Sequence, residues 1–356
     1  MVLAAGRGQP AASSNLTRVG LNGHASTLDE VAELAGVSKA TASRAINGRS
    51  KVSAKAQAAV LDAVRQLGYT PNGAARSLVM QRTGSVAVIL PESDERVFSD
   101  PFFARMLHAV ARSLRERNLQ LVLLLAQPGD EDRMLLYLRG RYVDGAIVAS
   151  HHRDDRLAER LSDLGLPCVF IGAPWIGAER VPVVDSDNAG AAARAVRVLI
   201  EGGRRTIATI AGPRDMRAGH DRLEGWRQEL DAAGLDSSLV AHGDFTEHSG
   251  AKACIELLDA APDLDGIFAA SDLMALGAMR ELEARGIRVP EDVAIVGYDD
   301  LGVAESTQPP LTTLRNPIDQ MVTEAVRLLT ESIDQGGRGA PRRVVFVPEL
   351  VRRDTV

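Results

Sequence analysis

The sequence predicts a mixed α/β chain: a small all-α head followed by a larger body of parallel sheets with covering helices. Three observations predict it. From Ser85 onward, apolar runs of strand length alternate with stretches of helical period, the pattern of parallel α/β architecture. Before that point, residues 27–68 carry three short helical patterns punctuated by Gly36 and Gly68. Charge is also divided. Residues 1–84 hold ten Lys/Arg against four Asp/Glu, a net +6, and the remaining 31 basic and 43 acidic residues leave −12. A basic head on an acidic body suits a polyanion-binding domain joined to a part that stays off the polyanion. At 356 residues the chain exceeds one compact core, so two or three domains are expected.

Residues 1–26, rich in Gly, Ala, Ser and Asn, read as a disordered arm; Arg7 and Pro10 break any apolar segment a secretory signal needs. Thr27 and Glu30 then form a capping box. Val31, Ala32 and Ala35 give the first helix an apolar stripe, Gly36 ends it and Val37 packs in the turn. Ser38 caps a second helix reaching about Asn47, with Ala42 and Ile46 inward. Lys39, Ala40, Thr41, Ser43 and Arg44 are left outward or at the helix start. Ser53 caps a third helix carried by Val60, Val64 and Leu67 and stopped by Gly68. Helix, tight turn and short polar-faced helix is the helix-turn-helix layout, whose second helix enters the DNA major groove by its N-terminal end. A plain three-helix bundle with a solvated polar face is the alternative; the charge asymmetry and the following segment weigh against it.

That following segment, residues 71–84, starts at Pro71-Asn72 with about eight helical positions ending near Val79. Isolated helices below roughly 12–15 residues are marginal in water, so this hinge is expected to be helical only when something holds it. The run A-G-V-S-K-A-T-A-S-R-A-I-N-G, followed by L-G-Y-T-P-N-G-A-A-R-S-L, resembles the LacI family of bacterial transcription regulators, a likeness that extends from Thr27 to the C-terminus. The resemblance implies that Lys39 and Ala40 choose operator bases, that Arg44 reads a guanine, and that Ser38, Thr41, Ser43 and Ser53 contact phosphates. Thr27, Asn47, Asn72 and Arg76 belong to the same DNA-facing set. Side-chain chemistry agrees: arginine bonds guanine O6 and N7 together, whereas Ala40 offers a methyl contact to thymine. Ala42 departs from the family's larger valine. The resemblance also implies that two hinge helices of a dimer pair over the minor groove, each inserting a leucine, here Leu78. Such a wedge costs a few kcal/mol of unstacking per step.

In the body, strands are expected at 86–90, 121–125, 145–149, 168–171, 206–211, 266–269 and 294–296. Helices are expected at 102–117, 189–201, 222–233, 250–258 and 273–284. The pattern fits one large doubly wound domain or two lobes. The resemblance selects two lobes of the periplasmic-binding-protein (type I) kind, crossing near Asp185, Arg315 and Ala340. The first lobe then spans about 85–185 and 316–340, the second 186–315 and 341–356. A ligand in such a body lies beyond the C-terminal ends of the strands, between the lobes. Phe102 and Phe103 in D-P-F-F, Ser150, Arg222, Phe245 in G-D-F-T, Ser271, Asp272 and Asp299 fall there. Asp272 reads as a helix N-cap, and the paired phenylalanines suit core as well as cleft. Two adjacent acids at a strand end, Asp299 and Asp300, are hard to explain as packing. The resemblance implies that Arg222, Phe245 and Asp299 contact the effector. For a sugar, Arg and Asp fix hydroxyl pairs while an aromatic face covers the C–H side of the ring.

Other chemistries find no support. There is no P-loop, no G-x-S-x-G and no zinc-protease helix motif, and Gly6 and Gly8 follow no strand, so neither an enzyme nor a cofactor is expected. In His151-His152 and Asp154-Asp155 consecutive side chains diverge, so no metal is expected either. Cys168 and Cys254 read as reduced, buried thiols, no apolar run reaches membrane-spanning length, and a cytoplasmic, nucleoid-associated protein is expected. The sequence ends on P-E-L-V-R-R-D-T-V, without a leucine-rich tail helix, so a homodimer on a palindromic double-stranded operator is expected. Within the family, R-V-F-S-D-P-F-F, H-H-R-D-D, I-A-T-I-A-G-P and G-D-F-T resemble actinobacterial regulators of sugar and oligosaccharide use. The expected effector is an inducing mono- or disaccharide, cellobiose-like or maltose-like. Ala149 and Gly172 stand where some sugar-responsive members carry Asn and Asp. The alternatives are a corepressor-responsive regulator sensing a nucleobase or a phosphorylated partner protein, and a sugar-binding protein without a gene-regulatory role.

Overall fold

The computed structural model describes residues 26–46, 52–70, 82–127, 129–337 and 341–356, in two compact units divided between Val79 and Met80. In the first unit, helices α1 (Leu28–Leu34), α2 (Lys39–Ile46) and α3 (Ala54–Leu67) enclose a small core of Val31, Ala32, Ala42, Ala45, Val60 and Ala63. The caps explain the boundaries. Thr27 Oγ1 accepts from the Glu30 amide at 3.3 Å while Glu30 Oε2 accepts from the Thr27 amide at 2.8 Å. Gly36, at φ +63°, turns the chain left-handed, and the Val37 amide closes onto Ala32 O at 3.0 Å. Ser38 and Ser53 cap α2 and α3 through the Thr41 and Ala56 amides. Ala42 is fully buried as expected, Ile46 is half-buried, and Ala45 shares the inward face; Gln57 donates to Ala45 O and ties α3 to α2. Residues 1–25 of the arm expected over 1–26, Asn47, and residues 71–81 of the hinge expected over 71–84, with Asn72, Arg76 and Leu78, lie outside the described residues.

The second unit contains two six-stranded sheets built on one plan. The first carries β1 (Ser85–Leu90), β2 (Gln120–Leu125), β3 (Gly145–Ala149), β4 (Cys168–Ile171) and β5 (Val183–Ser186). Its helices are α4 (Asp94–Ser99), α5 (Pro101–Arg115), α6 (Glu131–Arg139) and α7 (Leu157–Asp163). The chain then passes through α8 (Asn188–Glu201) into the second sheet: β6 (Ile207–Ala211), β7 (Val240–His242), β8 (Gly266–Ala269), β9 (Ala294–Asp299) and β10 (Thr312–Arg315). Between these strands run α9 (Arg217–Ala233), α10 (Glu247–Ala260), α11 (Asp272–Ala284) and α12 (Val303–Ser306). Helix α13 (Ile318–Asp334) and β11 (Arg343–Phe346) return to the first sheet, and β12 (Glu349–Val351) ends on the second. The strand orders are β2-β1-β3-β4-β5-β11 and β7-β6-β8-β9-β10-β12, and β10–β12 is the antiparallel pair. Each sheet therefore reverses direction of winding between its first and third strands, which opens a crevice at their carboxyl ends.

Alternate residues of each strand feed opposite layers. Val86, Val88 and Leu90 pack with α5 and α13, whereas Ala87 and Ile89 face the α6–α7 side. Cys168 and Cys254 are buried, and burial pushes both thiols up to about 12.

The chain changes sheets at residues 187, 316–317 and 347–348. The first two passages fall close to the expected Asp185 and Arg315. The third corrects the placement at Ala340, because β11 pairs in parallel with β5 and Arg343 donates to Asp185 at 3.0 Å. Asp272 is also corrected as a cap: Ser271 is the N-cap of α11, its hydroxyl accepting from the Met274 amide at 3.2 Å. Asp272 instead turns inward.

Candidate functional site

On α2, Ala42 and Ala45 occupy the buried face, so Lys39, Ala40 and Arg44 are exposed and Thr41 and Ser43 half-buried. Lys39 Nζ pairs with Asp29 at 2.8 Å on the surface, Arg44 Nε donates to Ala40 O at 3.0 Å, and Ser38 Oγ lies 2.9 Å from Thr41 Oγ1. Exposed pairs of this kind contribute up to about 1 kcal/mol, so a phosphate or base edge can replace them cheaply. Thr27 and Ser53 are exposed at the starts of α1 and α3. Together these residues give α2 and its flanks a hydroxyl- and cation-bearing outer surface.

In the second unit, a cleft partly open to solvent lies between the two sheets. All seven residues proposed from the sequence for the effector, Phe102, Phe103, Ser150, Arg222, Phe245, Ser271 and Asp299, border it. Phe102 and Phe103 meet edge to face at 5.3 Å; Phe103 is at once cleft wall and buried core. Phe245, at φ +69°, lays its ring against Gly212, where a Cβ would stand 2.5 Å from the ring. Ser150 and Asp299 also adopt positive φ, +59° and +112°. Such strain in non-glycine residues costs about 1–3 kcal/mol each and gathers where side chains must be aimed.

Arg222 lines this cleft together with Arg96 and Arg217 and is only 5% exposed. Its Nε donates to Asn188 Oδ1 at 2.9 Å, its terminal nitrogens reach Ala270 O at 2.6 Å and Asp299 Oδ1 at 3.7 Å, and its guanidinium lies 3.5 Å from the Tyr298 ring centroid. Tyr298 in turn donates to Asn188 Oδ1 at 3.2 Å and lies 3.3 Å from Ser186 Oγ. The first sheet-to-sheet passage thus fixes the arginine. Burial raises Asp299 to about 7, opposed by Arg222 and aided by the charge of Asp100. Asp272, buried beside it, is driven well upward by burial and by Asp299 while accepting from Thr313 Oγ1 at 2.6 Å and the Asp300 amide at 2.7 Å. Asn316 Oδ1 is buried without a partner among the described residues. The wall can therefore both accept and donate hydrogen bonds around an apolar floor supplied by Ile318, Met321 and Val322.

At the mouth, side chains from the two sheets meet. Glu92, 5% exposed, accepts from Ser150 Oγ at 2.5 Å and pairs with Arg96 at 3.1 Å and His152 Nε2 at 3.3 Å. The other imidazole nitrogen of His152 lies 2.8 Å from Asp215 on the opposite sheet's loop. Those two carboxylates raise His152 to about 8. Trp175 Nε1 donates to Asp215 O at 2.8 Å, with Arg153 and Arg217 over its ring at 4.2 and 4.9 Å. His151 turns the other way, to Gly172 O at 3.0 Å, and burial lowers it to about 4.

Residues 27–72 match the family model for bacterial regulatory proteins of the lacI family, and residues 196–356 match a periplasmic binding protein-like domain. The HTH-type transcriptional regulator CelR of Thermobifida fusca is 48% identical over 333 residues, covering 92% of this chain and 98% of CelR. This chain belongs to the LacI family. Another LacI-family relative, the HTH-type transcriptional repressor CytR of Escherichia coli strain K12, is 31% identical over 93% of this chain and 96% of its own. Among solved structures, a CelR–cellobiose complex matches with TM-score 0.74 at 46% identity, over 93% of this chain and all of that one. A lac repressor dimer bound to operator and the anti-inducer ONPF matches with TM-score 0.83 at 26% identity, over 93% and 99%.

As a LacI-family member the protein is a DNA-binding transcription regulator and not an enzyme. Among the described residues no helix is long and apolar enough to cross a membrane. The residues this LacI-family cleft uses that sequence reasoning missed are those acting through others: Glu92, Asn188, Asn316 and Tyr298. Asn188 carried one signal, standing in S-D-N at the start of a helix. The others carried none, because their roles arise only when distant segments meet.

Proposed function

We propose that this LacI-family regulator is a repressor of sugar-utilisation genes, released from a palindromic operator when a disaccharide of the cellobiose class enters the inter-lobe cleft. The observation that carries the reading is Arg222, buried and braced against Asp299 in a cleft faced by Phe245 and Phe102, in a chain 48% identical to CelR. A guanidinium beside a carboxyl group suits vicinal hydroxyls, and the aromatic rings suit the apolar face of a pyranose. The likeness to a cellobiose-bound CelR supports that class over other sugars.

In this reading residues 27–70 form the DNA-binding domain, 71–84 the hinge, and residues from 85 onward the effector-binding and dimerisation body. Lys39, Ala40 and Arg44 read bases from the major groove, and Thr27, Ser38, Thr41, Ser43 and Ser53 hold phosphates. Asn47, Asn72, Arg76 and Leu78, outside the described residues, complete the contact set, with Leu78 as the minor-groove wedge of a dimer acting in the cytoplasm. A thousandfold fall in operator affinity needs about 4 kcal/mol of differential binding, which a few hydrogen bonds made in one lobe arrangement can supply.

The test is calorimetric titration of the protein with cellobiose, maltose, ribose and a purine base, with and without operator duplex. Cellobiose binding that is weakened by operator supports the proposal. Binding of the purine instead, strengthened by operator, replaces it with corepression.

A further inference from the structure

A second cavity, about 800 Å³ and open on one side, lies beside the β6–β7 edge of the second sheet. Arg214 from the loop after β6, His220 and Arg227 from α9, His242 from the end of β7, and Arg153 from the loop after β3 border it. No aspartate or glutamate does so among the described residues. Neither Arg153 nor Arg214 has a carboxylate within ion-pair distance among the described residues, whereas Arg227 pairs on its outer side with Glu224 at 2.8 Å. Ser237 and Ser238 on the far wall already donate to Asp231 and Asp236 at 2.8 Å, so the open donors are the guanidinium groups. Helix α9 begins without a side-chain cap, and Gly219 of its first turn also borders the cavity.

Cationic side chains gathered around a concave surface whose lining carries no acid give it a positive potential, offset in part by Glu224 on Arg227 and by Asp231 and Asp236 behind the serines. Burial first, then the charges of Arg214 and Arg227, hold the His242 imidazole below its ordinary value, against its bond to Gly212 O and the charge of Glu256. Planar guanidinium forks match the oxygen spacing of a phosphate.

We infer that this cavity is a second ligand site, distinct from the inter-lobe cleft, that binds the phosphate group of a small anionic metabolite such as a sugar phosphate. Arg153 comes from the first sheet's loops and the other cations from the second's, so a phosphate held here ties the two lobes together. Arg153 already donates to Arg214 O at 3.3 Å, which holds the two loops together at the rim of the cavity. Occupancy of the site therefore couples to lobe arrangement, and through it to whatever the cleft binds.

The test uses the full-length protein, titrated with glucose 6-phosphate, inorganic phosphate and uncharged glucose at constant ionic strength. Calorimetry gives the affinity and the proton resonances of the His242 ring report the location. Glucose 6-phosphate and inorganic phosphate should move the His242 resonances where glucose does not. Arg214→Ala, an exposed position that the fold does not need, should weaken that binding at least tenfold, Arg214→Lys should restore part of it, and Asp299→Ala should leave it intact. Phosphate compounds that leave the His242 resonances unmoved overturn the inference. So does an Arg214→Ala protein of wild-type affinity, or loss of phosphate binding in Asp299→Ala, which assigns the anion to the main cleft.

Discussion

The Arg222 guanidinium and the Asp299 carboxylate stand 3.7 Å apart on one wall of the cleft, with Arg222 only 5% exposed and the Tyr298 ring beneath it. The gap is wider than a direct hydrogen bond, so each group keeps capacity for a ligand hydroxyl. Arg222→Ala and Asp299→Ala should each weaken sugar binding at least a hundredfold by calorimetry, about 2.7 kcal/mol. Both should retain operator binding, because the head folds around its own core. Arg222→Ala should also lower stability by about 3–5 kcal/mol, since Asn188 and Ala270 O lose their donor and Asp299 its counter-charge.

The proton on Asp299 gives a pH signature. Its folded value of about 7 lies above the ordinary 3.8, so between those values the folded chain holds a proton that the unfolded chain has lost. Stability from this group is therefore full below about 4 and declines as pH rises to about 7. Asp299→Asn keeps the neutral form at every pH. Its melting midpoint should exceed that of the wild type at pH 8 by more than at pH 5; a constant difference across that range contradicts the buried acid.

His152 works in the same direction at higher pH. Hydrogen bonds to Glu92 and Asp215 raise it from 6.5 to about 8, so its stabilisation is complete below 6.5 and lost as pH rises through 8. His152→Gln should remove the portion of the melting-midpoint decline that falls between pH 7 and 9. Because this side chain joins the two lobes, the variant should also shift effector affinity while leaving the head's DNA contacts alone.

Arg44→Ala should cost about 1–3 kcal/mol of operator affinity and relax specificity at one base pair, whereas Ser53→Ala should weaken all sequences nearly alike. Operator affinity should fall steeply with salt, as phosphate neutralisation by a basic head requires. Leu78→Ala should abolish tight operator binding and leave sugar binding unchanged, which anisotropy and calorimetry measure separately.

How much of this was legible follows from how local each signal was. Long apolar strands such as β1 and β3 announced themselves, as did the capping box of Thr27 and Glu30, because composition and spacing within a few residues suffice. The short strands β5, β10 and β11 did not: each runs four residues up to a sheet change, and they include Asp185, Thr313 and Arg343, which only cross-strand pairing explains. Seven cleft residues were read from strand ends and family likeness. The brace behind them, Ser186–Tyr298–Asn188–Arg222, joins positions over a hundred residues apart and has no local trace. Asp272 shows the limit most plainly. Acid before a helix reads as a cap, yet Ser271 takes that place and Asp272 bonds Thr313 across the sheet.

The most direct test is fluorescence anisotropy of a labelled operator duplex, selected from random-sequence DNA with the purified protein, under increasing cellobiose. The wild type should release the duplex, with operator affinity falling about a thousandfold at saturation, equivalent to about 4 kcal/mol. Asp299→Ala should stay bound throughout. Wild-type protein that holds the duplex unchanged at saturating cellobiose, or an Asp299→Ala variant that releases it at the same concentrations, contradicts control of DNA binding from this cleft.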